Sequence, residues 1–140
     1  MSVRTILVGV DDSPGSMAAL RWAADLAGPL RASLVLLHVY EPLAHVGALE
    51  PGMDLKSLRE RNVATLQAVC ARELQGRGVE QSLVVREGMP LDVLVEVADE
   101  ISADLVVVGA RRLGTLEALL LGSTSSRLAQ RTRRPVVVIH

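Results

Sequence analysis

Residues 5–27 read TILVGVDDSPGSMAALRWAADLA, and this stretch contains a complete transition from strand to helix. Residues 5–10 are apolar and rich in β-branched side chains, as expected of a strand that is buried on both faces. Ser13 followed by Pro14 is typical of a helix start, because serine caps the first turn and proline fits its first position. The apolar positions that follow share one face of a helix: Met17, Leu20, Ala24 and Ala27.

Four more apolar runs extend the pattern along the chain, at residues 33–40, 80–87, 104–109 and 135–140. Three of them are almost continuously apolar, whereas the run at 80–87 alternates more and suits a strand at the edge of a sheet. Helical patterns separate the runs, so the predicted order is βαβαβαβαβ. Alternation of this kind indicates an α/β fold with a parallel sheet and right-handed crossovers.

The later helices are predicted from their apolar stripes. From about residue 54 to 75 the stripe comprises Leu55, Leu58, Leu66 and Val69, with Val63, Cys70 and Leu74 at its flank. The next helix has an apolar face made of Leu91, Leu94, Val97, Ala98 and Ile101. The last helix is predicted to begin around residues 123–125 and to end before Pro135, where several arginines suit its negative C-terminal end.

The chain has 140 residues and fits one domain, residues 1–140. Trp22 and Tyr40 are the only aromatic residues, so the core must consist of aliphatic side chains. A net charge of −1 and the lack of aromatic platforms argue against nucleic acid as a partner. The single cysteine, Cys70, is expected in the core. No signal peptide and no run of transmembrane length are evident, which predicts a cytoplasmic protein without membrane contact.

Common phosphate-binding motifs are incomplete in this chain. Gly109 and Gly114 have the glycine spacing of a P-loop, but Thr115 stands where that loop needs lysine. The dinucleotide fingerprint G-x-G-x-x-G is missing after the first strand. A phospho-acceptor receiver domain would need an aspartate after the third strand and a lysine after the fifth, and the sequence has neither there. The histidines show no spacing of metal ligands.

A different pair of glycine turns is left as a candidate site. The fourth strand ends at Gly109, and Gly122 precedes hydroxyl residues at the start of the last helix. In open α/β sheets, ligands bind beyond the carboxyl ends of the strands, and the N–H groups of a helix start attract anions. Each feature also has an ordinary explanation. Asp11 can cap the first helix with Ser13, Gly109 can end a strand, and Gly122 can form a turn.

Over essentially its whole length the sequence resembles the universal stress protein family. The resemblance is carried by ILVGVDDSPGSMAALRWAADLA, LVLLHVYEP, ADLVVVGARR and LLLGSTSSRLAQRTRRPVVVI. ATP-binding members of the family have a glycine, two residues, a second glycine, nine residues, and then glycine with serine or threonine. Gly109 and Gly122-Ser123 match the outer positions with the correct spacing, but Arg112 replaces the middle glycine.

The resemblance implies a pocket for ATP, alone or with Mg²⁺. Asp11 resembles the acid beside the nucleoside, and Val39 the residue whose backbone meets adenine. The implied nucleotide-binding residues are Gly9, Val10, Asp11, Val39, Val108, Gly109, Arg111, Arg112, Gly122, Ser123, Thr124 and Ser125. With the resemblance, the predicted fold is a Rossmann-like, adenine-nucleotide α-hydrolase-like domain: an open five-stranded parallel sheet of order 3-2-1-4-5, with helices on both faces.

A homodimer is expected through the last strand, Val136–Ile139. A bare apolar strand at the edge of a sheet is prone to pair with another chain, and the resemblance implies antiparallel pairing with a second copy. The predicted function is an ATP-binding, dimeric stress-response module with an unknown protein partner. At most slow ATP hydrolysis is expected, because no base or lysine for phosphoryl transfer is evident.

Two alternatives and one question stay open. The chain is either a nucleotide binder or a family member that binds no nucleotide and acts as a dimeric interaction module. An enzyme of the α-hydrolase group would need a glycine- and serine-rich loop after the first strand, which VDDSPG does not resemble. Arg112 either blocks the phosphate turn, swings outward, or meets the phosphates as a charged fork.

Overall fold

Strands and helices alternate along the chain in the predicted order. The structure, a computed structural model, describes residues 2–41, 51–52, 54–110 and 123–140, and of residues 123–125 the backbone alone. The strands are β1 (Thr5–Gly9), β2 (Ser33–Tyr40), β3 (Gln81–Glu87), β4 (Leu105–Gly109) and β5 (Val136–Ile139). The helices are α1 (Pro14–Leu30), α2 (Leu55–Leu74), α3 (Pro90–Glu100) and α4 (Ser123–Arg131).

The five strands form one parallel sheet of order β3-β2-β1-β4-β5, which confirms the predicted topology. β1 lies at the centre, where Val8 pairs with Leu36 of β2 and with Val107 of β4. β3 is at one edge, as its alternating sequence predicts, and β5 is at the other. The direction of winding therefore reverses between β1 and β4.

Each face of the sheet has its own apolar core, which confirms that helices cover both faces. The cluster with α1 and α2 includes Ile6, Val8, Leu20, Leu34, Leu36 and Leu66. The cluster with α3 and α4 includes Leu7, Leu37, Val97, Val106 and Leu128. Successive residues of a central strand point to opposite faces and both faces are covered, so these strands are almost continuously apolar in sequence.

The start of α1 forms as its sequence predicts. Ser13 is the N-cap in an extended conformation, its side chain accepts a hydrogen bond from the N–H of Ser16, and Pro14 opens the helix. The four apolar residues predicted to face inward are all buried: Met17, Leu20, Ala24 and Ala27. This helix start is the element that reaches the predicted site.

Some local predictions are corrected by the structure. The buried residues of α2 advance in steps of four or eight, Leu58, Leu66, Cys70 and Leu74, so the first-turn residue Leu55 falls outside this seam and is 38% exposed. In α3 the buried face includes Val93, which the predicted stripe lacks. The predicted strands were up to one residue too long at their ends, at Val10, Glu80, Asp104, Pro135 and His140.

Candidate functional site

The carboxyl ends of the parallel strands meet at one edge of the sheet, which we call the carboxyl edge. Asp11 follows β1 at this edge, Val39 is the penultimate residue of β2, and Gly109 ends β4. β1 and β4 are neighbours, but the chain continues from β1 toward β2 and from β4 toward β5. Such a reversal opens the crevice in which α/β sheets bind ligands. Because α4 leads into the parallel strand β5, its first residue, Ser123, also lies toward this edge.

Asp11 is held by the first turn of α1. Its Oδ1 accepts a hydrogen bond from the backbone N–H of Ser13 at 2.8 Å, and its own N–H donates to Ser16 Oγ at 2.8 Å. Ser13 Oγ accepts from the N–H of Ser16 at 3.2 Å. The capping role that the sequence allowed for Asp11 and Ser13 is therefore present in the structure. A role for Asp11 beside a nucleoside stays a prediction.

Ser16 belongs to this site although it was not among the residues predicted from the sequence. Its side chain is buried, and its hydroxyl oxygen contacts the N–H of Asp11 and lies 3.5 Å from the carbonyl oxygen of Gly9. The hydroxyl thereby joins the end of β1 to α1. The available sequence signal is a serine three residues after the N-cap, the position whose N–H donates the capping hydrogen bond.

The segment between β1 and Asp11 is fixed from the other side by β2. Val10 donates its N–H to the carbonyl oxygen of Leu37 at 2.9 Å, and the Val10 carbonyl oxygen lies 3.1 Å from His38 Nδ1. With the proton on Nδ1, His38 donates this hydrogen bond and keeps Nε2 as an acceptor. His38 is half-buried in β2, and its partner Val10 directly follows β1. Val39 follows it and is half-buried as well.

Gly109 is required by the packing of α1 against β4. A Cβ atom at this position would lie 2.9 Å from both the carbonyl carbon and the carbonyl oxygen of Gly15, which is closer than Cβ atoms normally come to backbone. A Cβ at Gly9 would find its nearest atom at an ordinary 3.5 Å, on Val108. The first glycine of the spaced pattern is therefore explained by a backbone contact inside the protein.

The second half of the glycine pattern falls mostly outside the described residues, which do not include Arg111, Arg112 and Gly122. The backbone of Ser123, Thr124 and Ser125 forms the start of α4, where the sequence predicted a helix to begin. The first N–H groups of a helix have no partner within it, and this is the property on which an anion site depends.

The arginine-rich end of the chain pairs with the acidic helix α3. Arg131 Nη1 lies 2.6 Å from Asp92 Oδ1, and Arg134 Nε lies 3.5 Å from Asp99 Oδ1. Such exposed pairs contribute at most about 1 kcal/mol each. They nevertheless balance charges that are far apart in sequence, and they join α3 to α4 and to the segment that follows it. Arg131 lies in the last turn of α4, where the sequence predicted that arginines suit the negative end of the helix.

In the described part of the chain three residues have shifted pKa values, and none of them is a predicted site residue. Asp104 Oδ2 accepts hydrogen bonds from the backbone N–H groups of Arg4 at 2.8 Å and Thr5 at 3.0 Å, and these lower the pKa of Asp104. The N–H of Ser57 similarly lowers the pKa of Asp54, which caps α2. Burial raises the pKa of the Cys70 thiol to about 11, which is consistent with its predicted place in the core.

Within the described ranges, no group of three or more His, Cys, Asp or Glu residues is placed to hold a metal ion. An open depression of about 290 Å³ lies between the end of α1 and the start of β3, where Gly28, Arg31, Gly78 and Glu80 line it. This depression is at the amino end of the sheet, opposite the candidate site. In the part of the chain that the structure covers, no helix has the length and apolar character needed to cross a membrane.

Comparison with known proteins identifies the family. The model of the universal stress protein family matches residues 2–140. The chain belongs to this family. Over 143 residues this universal stress protein is 32% identical to universal stress protein Rv1636 of Mycobacterium tuberculosis, with 98% of this chain and 96% of the relative covered. It is 31% identical over 137 residues to universal stress protein Sll1654 of a Synechocystis species, with 97% and 85% covered.

Solved structures of universal stress proteins have the same fold. A universal stress protein in complex with cAMP is 28% identical, with a TM-score of 0.75 and 100% and 98% of the two chains covered. UspA from Lactobacillus plantarum is 26% identical, with a TM-score of 0.81 and 100% and 99% covered. A universal stress protein of Archaeoglobus fulgidus in complex with dAMP shares the fold at 20% identity, with a TM-score of 0.70 and 100% of both chains covered. The predicted family and fold are thus confirmed.

Proposed function

We propose that this universal stress protein binds an adenine nucleotide at the carboxyl edge between β1 and β4, and that the ligand is ATP, alone or with Mg²⁺. The observation that carries the proposal is that three elements converge at the reversal of the sheet: Asp11 after β1, Gly109 at the end of β4, and the start of α4 at Ser123. A helix start supplies N–H groups for phosphate, and a carboxylate suits the hydroxyl groups of ribose.

The complex of a relative with cAMP supports this choice of ligand. That universal stress protein is 28% identical to this chain and is covered over 98% of its length. Its ligand contains adenosine and one phosphate, so it has the nucleoside in common with ATP. We therefore expect adenosine contacts along β1, β2 and β4, whereas binding of the outer phosphates depends on the residues that follow Gly109.

The proposed roles follow the order of the elements. Val39 would meet the base through its backbone, and Asp11, which Val10 precedes, would accept hydrogen bonds from ribose. The remaining residues would form the wall and the phosphate cradle: Gly9, Val108, Gly109, Arg111, Arg112, Gly122, Ser123, Thr124 and Ser125. The site has no assigned catalytic residue, and we propose at most slow hydrolysis.

Arg112 stands where ATP-binding members of the family have the middle glycine, so ATP binding by this chain depends most on this residue. A guanidinium can donate two parallel hydrogen bonds to phosphate oxygens, and we propose that Arg112 does so. Replacing it with glycine would then weaken ATP binding more than AMP binding, because AMP lacks the outer phosphates. If the side chain instead fills the site, Arg112→Gly would strengthen binding of ATP.

Titration calorimetry with Mg-ATP and AMP tests the site. We expect saturable binding of ATP by the wild type, loss of binding in Gly122→Val, and unchanged binding in the remote control Glu96→Gln. A thermal shift provides a second readout, since a ligand at 100 times its dissociation constant adds about 2.7 kcal/mol of stability. Absence of ATP binding in both the wild type and Arg112→Gly would refute the proposal.

Asp11→Asn separates the two roles of that residue. Asparagine keeps an oxygen that can accept from the N–H of Ser13, so the cap is retained while the negative charge is removed. We expect weaker nucleotide binding with a melting temperature close to that of the wild type. A melting temperature that falls while the nucleotide affinity stays constant would restrict Asp11 to the cap.

The second candidate function is a dimeric interaction module that binds no nucleotide. It is favoured by the contacts of Asp11 and Gly109, because both residues already have roles in holding α1 to the sheet. The outcome that selects it is binding of ATP by Arg112→Gly together with no binding by the wild type.

We also propose a homodimer in which β5 pairs antiparallel with its copy. Within the described residues β5 pairs with β4 alone, and its four residues, Val136–Ile139, are all half-buried. Val137→Asp should produce monomers in size-exclusion chromatography with light scattering, whereas Glu96→Gln should not. We further propose that residues 1–140 form one domain, that the protein is cytoplasmic and that it has a protein partner.

A further inference from the structure

An apolar stripe runs along the surface of α1. It consists of Trp22, Leu26 and Leu30, and we call it the α1 stripe. Its members are four residues apart and are therefore neighbours on the helix surface. Trp22 is 38% exposed and Leu30 is 45% exposed, while Leu26 is partly buried against the core. Tryptophan is enriched in protein interfaces, because its large rigid ring gives much contact area.

The α1 stripe lies on the side of the helix that is away from α2. The flank of α1 that faces α2 is marked by the ion pairs Arg21–Glu73 and Asp25–Arg77. Around the helix, the buried positions Leu20, Ala23 and Ala27 separate this flank from the stripe. α2 lies toward β2 and β3 in the winding of the sheet, so the other flank of α1 faces β4 and β5.

Contacts within the core agree with this placement. α1 contacts both β4 and β5. Leu26 packs against the same apolar cluster as Val137 and Ile139, two half-buried residues of β5. Leu26 of the α1 stripe and this side of β5 therefore border the same apolar cluster, beside an edge at which the described residues place no further strand.

β5 is too small to hold two copies together by itself. It has four residues, about 13 Å of strand. Stable dimer interfaces bury about 800 Å² on each partner and involve about 20–30 residues a side. A dimer through β5 must therefore include surface that flanks the strand. The exposed large hydrophobic residues in the described part of the chain are Trp22, Leu30, Leu55 and Met89, and only the first two belong to the α1 stripe.

The two faces of the sheet differ in what they offer beside β5. On the face opposite α1, Arg127 of α4 and Arg133 just after it are exposed. In a dimer through β5 the two copies of these arginines lie on one face, and like charges disfavour close contact between the subunits there. The α1 face has apolar side chains instead.

We propose that the α1 stripe, together with Val137 and Ile139, is the surface that a second copy of this chain covers. The inference rests on the proposed dimer. When two edge strands pair antiparallel in one sheet, the two-fold axis is perpendicular to that sheet, so both α1 helices lie on the same face. Each α1 stripe then faces the partner across the paired β5 strands, with Trp22 as the principal anchor.

The test is the dimer dissociation constant of Trp22→Lys and Leu30→Glu, measured by sedimentation over a dilution series. Each substitution should weaken the dimer at least tenfold. The matched control is Leu55→Glu, which changes a leucine on α2 that is 38% exposed, and it should leave the dimer unchanged. Circular dichroism confirms that the variants are folded. Because Trp22 is the only tryptophan, wild-type fluorescence should also shift to longer wavelength as dilution separates the subunits.

The outcomes separate this inference from the proposals beneath it. If Val137→Asp gives monomers while Trp22→Lys and Leu30→Glu behave like the control, the β5 dimer stands and the role of the α1 stripe is refuted. If the wild type is monomeric at every concentration, the dimer itself is refuted and the inference fails with it. Nucleotide binding is measured separately, so neither result decides whether the proposed nucleotide site exists.

Discussion

Gly109 at the end of β4 lies directly against Gly15 in the first turn of α1. No side chain fits between the two backbones, since a Cβ on residue 109 would come within 2.9 Å of the Gly15 carbonyl group. This contact brings the helix start next to the strand end at the reversal of the sheet. The candidate site is thus formed by packing of backbone on backbone.

Gly109→Ala should destabilise the protein whether or not nucleotide is present. The added methyl group must displace the first turn of α1, and overpacking of this kind typically costs about 1–3 kcal/mol. Gly9→Ala is the matched control and should not destabilise the protein. Its Cβ would meet Val108 at an ordinary 3.5 Å, and alanine restricts the unfolded chain more than glycine does. Urea unfolding measures both free energies. Equal stability of the two variants would show that the Gly109–Gly15 contact is not tight.

Ser16→Ala should destabilise the protein and weaken the attachment of Asp11 to the first turn of α1. The buried hydroxyl accepts the N–H of Asp11, and its removal leaves this half-buried donor without its partner at a cost of about 1 kcal/mol. We expect a lower urea midpoint and faster hydrogen exchange at the Asp11 amide. Ser82→Ala, at an exposed position of β3, should change neither quantity at Asp11. Unchanged exchange at Asp11 in the Ser16 variant would contradict the hydrogen bond.

Asp104 should make stability depend on pH in the acid range. Hydrogen bonds from Arg4 and Thr5 lower the pKa of its carboxyl group in the folded protein. The unfolded chain then binds the proton more tightly than the folded protein does. The stability that Asp104 contributes is therefore fully present above the unfolded pKa of about 3.9, and it is lost as the pH falls through the lower pKa of the folded protein.

Asp104→Asn tests this contribution directly. The variant should be less stable than the wild type at pH 7, and its stability should fall less steeply when the pH drops below about 4. Glu96→Gln, an exposed residue on α3, serves as the control and should keep the wild-type pH dependence. Parallel urea curves from pH 7 to pH 2 give the comparison. Identical acid slopes for Asp104→Asn and the wild type would oppose the assignment.

Cys70 should be unreactive in the folded protein. Its thiol is buried and has a pKa of about 11, so at pH 8 roughly one thiol in a thousand is ionised. Reaction with a thiol-specific chromogenic reagent should be slow in buffer and fast in concentrated urea, where the pKa returns toward its usual value. Fast reaction without urea would mean that α2 opens away from the sheet.

Much of the fold follows from the sequence because the strands are buried on both sides. The continuous apolar runs and the Ser13-Pro14 start of α1 predict the strands, the first helix and the parallel sheet. The inward face of α2 was predicted less well. Which residues of a helix are buried depends on how it crosses the sheet, and Leu55 is exposed because the buried seam runs through Leu58 and Leu66 instead.

The sequence predicts a set of residues for the candidate site but not the contacts among them. Gly109 was selected from glycine spacing, but its contact with Gly15 joins residues that are distant in the chain and becomes evident only when helix and strand pack. Ser16 was missed because serine is common in a first helical turn, and only its burial shows what its hydroxyl does. The partners Asp92 and Arg131 likewise belong to segments whose charges were evident but whose pairing was not.

α1 spans 17 residues and connects the carboxyl edge of the sheet with the α1 stripe. Its first turn abuts Gly109 at the carboxyl edge, and the α1 stripe lies further along the same helix. A small molecule that displaces the first turn would tilt the tryptophan-bearing flank with it. By thermodynamic reciprocity, subunit association would then change the affinity for that molecule by the same factor as the molecule changes association.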